Sequence, residues 1–318
     1  MGAPTESANP RFDAPRVLMA CAPVLGLAAF ATLRWADWGA SRDVHARGGA
    51  AELAVWQLLV TASVVVWTVL AGVGLQLLKD LNACDGEPRR GGRCAPSRGW
   101  RRETIVFVVF VYIAIGVVLG VGAIAGLRNP FVMDGQDWKI PVFHLVAGAA
   151  NVPLLVVLKR VQLAAIDTSG WSTTARDVTR MRLLRRSLQS ATACLGVVIA
   201  LAVIATGALR KATAAAGLTP LPDTFVLVYG GWFTGVVAAT YLFVFSALER
   251  RARWMLETAV PLPRPEPASA ETFSARRNLR AELSQELELG GDPRKNLEGL
   301  LAVLAPLVGA LLTRLGGL

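Results

Sequence analysis

Apolar side chains in this chain come in long unbroken runs, separated by polar gaps rich in arginine. The clearest run is Thr104 to Leu127, twenty-four residues without one charged side chain. At ~1.5 Å rise per residue, a helix of that length exceeds the ~30 Å hydrocarbon core of a bilayer. Further runs occupy 17–33, 53–78, 140–158, 187–209 and 224–248. The pattern predicts an all-α, polytopic membrane bundle over residues 17–248, with six transmembrane helices arranged as three hairpins. Residues 1–16 read as a disordered cytoplasmic N-terminus. The first run is either a retained helix or the apolar part of a cleaved signal. Leu33-Arg34-Trp35 lacks the small-residue cleavage pattern, which favours a retained helix.

After residue 248 the pattern changes. Residues 249–270 form a charged, Pro-rich linker containing PLPRPEP. Residues 271–318 read as a helical cytoplasmic tail. Its first helix, 271–289, is polar, with Phe273, Leu279, Leu283 and Leu287 on one side. Gly290-Gly291 ends it, and Asp292-Pro293 opens a hydrophobic terminal helix over 293–315. Leu297, Leu300, Leu301, Leu304, Leu307, Val308, Leu311, Leu312 and Leu315 cover one face of that helix, and Gly, Ala, Pro and Thr the other. A surface helix would carry Lys and Glu on its second face, so this one must be buried. Three burials are open: against the bundle, in the inner leaflet, or against other copies. The leucine face is the expected interaction face.

Arginine and lysine fix the orientation, because they collect on the cytoplasmic side. The gaps after runs two and four hold seven each, and the stretch 249–295 holds nine. The gaps after runs one, three and five hold three, two and two. The expectation is a multi-pass protein of the plasma membrane with both termini cytoplasmic. The net charge of +10 therefore reflects topology, and no nucleic-acid partner is expected. Residues 173–186 are expected to form a separate basic helix, with Arg176, Arg180, Arg182, Arg185 and Arg186 against anionic lipid headgroups.

Glycines at four-residue spacing mark expected helix contacts: Gly116, Gly120, Gly122 and Gly126 in the third run, and Gly231, Gly235 and Ala239 in the sixth. Trp67 and Trp232 lie deep in their runs and read as packing residues.

No Asp, Glu, Lys or Arg lies mid-run, which argues against a pump or a proton-coupled transporter. His144, Asn151, Gln57 and Tyr112 are the candidates for a polar path. No nucleophile elbow, zincin motif or phosphate loop is present. Cys84 and Cys94 have too few neighbouring ligands for zinc. No catalytic, cofactor-binding or metal-binding residue is therefore expected. The function expected is non-enzymatic: a membrane effector or pore-type protein whose tail mediates assembly or docks a partner. A small-solute or lipid transporter and a scaffold for a soluble partner are the alternatives.

Overall fold

The computed structural model describes residues 14–46, 50–86, 102–109, 113, 139–167, 175–217, 223–261, 270–287, 289 and 293–315. Among them every regular element is a helix: α1 (Ala14–Ala46), α2 (Ala50–Gly86), α3 (102–109), α4 (Lys139–Ile166), α5 (Ala175–Ala215), α6 (Asp223–Ala259), α7 (Ala270–Glu286) and α8 (Pro293–Leu315). Four helical stretches are long and apolar enough to cross a membrane: Ala50–Ala83, Val146–Ile166, Ala175–Ala215 and Val226–Ala259.

Contacts fix the directions. Gly26 lies against Val65, and Gly72 against Met19, so α1 and α2 are antiparallel. Gly74 lies on Pro153 and Leu154, and Arg160 donates to Asn82 Oδ1 at 3.1 Å. These two contacts make α2 and α4 parallel. The indole of Trp67, fully buried, donates to the Val198 carbonyl at 3.1 Å, joining α2 to α5. Leu53, Trp56 and Val60 pack on Ala205, Leu209 and Ala216, so α5 runs against α2. The Arg185–Glu249 pair sets α6 antiparallel to α5. Among the described residues, Lys79 of α2, Lys159 and Arg160 of α4, the arginines of 176–186 in α5 and those of 250–253 in α6 thereby share one end of the bundle, the basic end.

The helices overrun their apolar stretches. The polar gap expected over 34–52 is helical to Ala46 and again from Ala50. The basic segment before the fifth run is not a helix of its own. It is the start of α5, which continues without a break for 41 residues, roughly 60 Å at the α-helical rise. No Pro or Gly lies between Ala175 and Leu195 to interrupt it. At its other end α5 stops at Gly217, whose φ of 69° lets its N–H close on Ala214 O at 3.0 Å.

The terminal helix takes the first of its three burials. Gly196 of α5 faces Ala302, Gly309 rests on Ala200 and Ile204, and Gly207 meets Thr313. The offset is the same at both ends, 106 residues (302 against 196, 313 against 207), so α8 runs parallel to α5. Carried along both helices, it sets 293–315 beside 187–209, the whole fifth apolar run. Gly230 of α6 closes the other side, on Ala310 and Pro306.

The face doing this packing is the small one. Pro306, Gly309, Ala310 and Thr313 are buried, whereas Leu301, Val308, Leu311 and Leu312 are exposed, Leu301 by 56%. The contact with the bundle is thus made by the small face, and the face expected to interact stays exposed at these leucine and valine positions. Backbones approach closely only where side chains are small, and that close fit holds helices together where both surroundings are oily.

Candidate functional site

At the basic end α5 and α6 stand clear of their apolar runs by about twelve residues each, ~18 Å at the α-helical rise. The headgroup layer on one side of a bilayer is only about 5–8 Å deep. The extension is nevertheless well packed. Met181, Leu184, Met255, Leu256, Val260 and Leu287 are buried in it, with Ala165 at the end of α4. Four helices, α4 to α7, form a small head on the bundle.

Arginines hold the head together by closing helix C-termini. The last carbonyls of a helix lack intrahelical donors and carry the negative end of its dipole, so a guanidinium suits them. Arg251 of α6 serves the end of α4. Its Nε donates to Ala165 O at 3.0 Å, and its Nη2 to Asp167 O at 2.7 Å and Ile166 O at 3.4 Å. The same guanidinium lies 4.9 Å from the Trp254 ring.

Arg280 of α7 serves the end of α6, donating from Nη1 to Val260 O at 2.8 Å. Arg182 of α5 serves the end of α7, donating to Glu286 O at 3.2 Å and pairing with the Glu286 carboxylate. Arg185 pairs with Glu249 at 3.0 Å. Past Glu286, Leu289 N–H returns to Ser284 O at 2.8 Å, and Leu287 and Leu289 pack on the core. The last turns of α7 are thus fixed on two sides.

Its earlier part is exposed. Residues 273–279 are all exposed, Phe273 by 51% and Leu279 by 54%. Arg276 and Arg277 stand between them.

The residues singled out by sequence fare unevenly. Of the five arginines expected at lipid headgroups, Arg185 is buried on Glu249 and Arg182 is tied to α7, while Arg176 and Arg186 are exposed. Gln57 is buried beside the contact of α2 with the far end of α5. Asn151 lies three residues before Leu154, which touches Gly74, and so is level with about Ala71. That leaves roughly 21 Å of helix between Asn151 and Gln57. The Asn151 side-chain oxygen is buried without a hydrogen-bond partner. Tyr112, Gly116, Gly120, Gly122 and Gly126 lie outside the described residues, as do the side chains of His144, Leu297, Leu300 and Leu315.

Gly231 and Gly235 have nothing within 4 Å of a Cβ built on them, so this face of α6 is not a close contact within the described chain. The close contact is made one residue earlier, by Gly230. Trp232 is exposed, and Trp67 is the deep packing indole. Among the described residues no cluster of His, Cys, Asp or Glu could hold a metal ion.

Sequence reasoning missed Arg251, Arg280 and the four-helix head. One signal was available: apolar Met181 and Leu184, and Met255 and Leu256, recur at helical spacing inside stretches read as a headgroup-facing basic helix and a charged linker. No protein-family model, curated protein or solved structure matches the chain.

Proposed function

We propose that this chain is a non-enzymatic, multi-pass effector of the plasma membrane that acts through its head, docking a soluble partner on α7. The observation that carries the reading is the contrast within α7. Its last turns are clamped by Arg182, Arg280 and buried Leu287, while 273–279 stand exposed. A fixed helix with an exposed end is suited to presenting a surface. The arginine-rich gaps put the head on the cytoplasmic side.

One observation weighs against assembly between copies through the small face of α8: that face is occupied within the chain. In this reading α8 is a further membrane-crossing helix. It is 23 residues long and lies level with an entire apolar run of α5. The C-terminus then emerges opposite the head, which revises the expectation that both termini are cytoplasmic.

Liposomes containing the purified chain test the reading first. They are expected to retain ions and small dyes under all conditions. Leakage would restore the pore. A photo-crosslinking residue at position 273 or 277, introduced in cells, is expected to trap a soluble protein, and one at 301 lipid alone.

A further inference from the structure

The proposed function leaves open the chemistry of what docks on α7. We propose that residues 273–280 bind an acidic segment of a soluble protein that also offers apolar side chains. The proposal rests on the docking role proposed above.

Position excludes the lipid surface first. Arg280 reaches the carbonyl of Val260, the end of α6, and Arg182 holds Glu286 further up the bundle. The axis of α7 therefore runs along the bundle, with its N-terminal half directed past the end of α6. Val260 is itself twelve residues beyond Leu248, ~18 Å from the apolar run. Phe273 is about 10 Å further on at the same rise. Both distances exceed the headgroup layer of about 5–8 Å. The exposed residues stand in water.

Composition selects the partner. From Thr272 to Ala281 there are three arginines and no carboxylate. At 100° per residue, Phe273, Arg276, Leu279 and Arg280 fall within about 120° of the helix surface, in line with Leu283 and Leu287. The stripe that packs on the core at the C-terminal end of α7 thus continues outward past Arg280 into exposed Arg276, Leu279 and Phe273. Its outer part offers two apolar side chains between guanidinium groups. An acidic helix or strand with its own apolar residues complements both features. A second copy does not, because it would set Arg276 and Arg277 against themselves.

The test uses the full chain in nanodiscs of phosphatidylcholine and two labelled synthetic amphipathic peptides. Their leucines are identical, and their polar positions are all Glu in one and all Lys in the other. Fluorescence anisotropy is expected to show saturable binding of the Glu peptide only. Reversing both charges with Arg276→Glu and Arg277→Glu is expected to weaken it roughly tenfold or more. Phe273→Ser and Leu279→Ser should weaken it too. The unfolding midpoint should move little in any variant, because these side chains are exposed.

Binding of the Glu peptide that ignores these substitutions would overturn the proposal, as would no binding at all. Selection of the Lys peptide through Phe273 and Leu279 would overturn the acidic partner but keep α7 as the docking element. Doubling of particle mass that Phe273→Ser abolishes would assign the face to a second copy. Binding confined to nanodiscs of anionic lipid would assign it to the membrane.

Discussion

Arg251 illustrates what a single residue decides in this protein. One guanidinium serves three carbonyls at the end of α4 and covers the Trp254 ring. Replacing it with Met keeps the aliphatic stem and removes every donor. The expected cost is about 1–3 kcal/mol, since the Ala165 carbonyl is buried while Asp167 is exposed to water. The unfolding midpoint in detergent should fall accordingly. Arg251→Lys should recover less than half of the loss, because an ammonium cannot reproduce the planar fork. Equal stability of the Lys variant and the native chain would show that only the charge matters. At this scale the sequence is ambiguous for a physical reason. It identifies arginines that belong on one side of a membrane, but an arginine in a headgroup layer and one on a helix terminus look alike until the neighbouring helix is in place. Arg185 and Arg251 are buried; Arg186, adjacent to the first, is exposed.

The helices that were legible in the sequence are those whose reason is local. Length and apolarity alone place α2, α4, α5 and α6, because a helix facing oil needs no pattern. Their ends were misjudged, since the overruns beyond the apolar runs at the basic end are stabilised by neighbours that no single helix reveals. Packing faces were legible only in kind. Small-residue spacing finds surfaces where backbones can approach, and two such surfaces occur one residue apart on α6. Gly230 is used by α8, whereas Gly231 and Gly235 are open. Gly230→Val must push against the Pro306 backbone and Ala310, and overpacking of that kind costs ~1–3 kcal/mol. Gly235→Ala should be neutral or stabilising by up to about 1 kcal/mol, through helix propensity. Thermal unfolding of the two variants side by side checks the assignment. The opposite ranking would place α8 elsewhere. Removal of 293–318 should be costlier than either variant, because it bares Gly196, Gly207 and Gly230 together. Its signature should be lost stability. A smaller oligomer of undiminished stability would instead make α8 an assembly element.

For the whole molecule, two independent premises of the proposal set the side on which the C-terminus should emerge. By the rule that basic gaps stay inside, the proposed orientation turns the head toward the cytoplasm. The parallel register of α8 with α5 carries the chain from the head to the opposite face, with Arg314 level with Ala208, just short of Arg210, where the apolar run of α5 closes. A cysteine added after Leu318 should therefore react with a membrane-impermeant maleimide in intact cells. Ala275→Cys on α7 should react only after permeabilisation, and so should native Cys84 and Cys94 in the basic gap. Cys21, which is exposed, and Cys194 lie within apolar runs and should react slowly in both states. The comparison separates the two premises. Labelling of Ala275→Cys in intact cells would invert the bundle and overturn the orientation by arginine. A terminal cysteine that behaves like Ala275→Cys would leave the orientation standing and show that α8 enters the membrane without crossing it. In that case α8 would have to leave the side of α5 between Gly196 and Gly207, and Gly207→Val should then have no effect on stability.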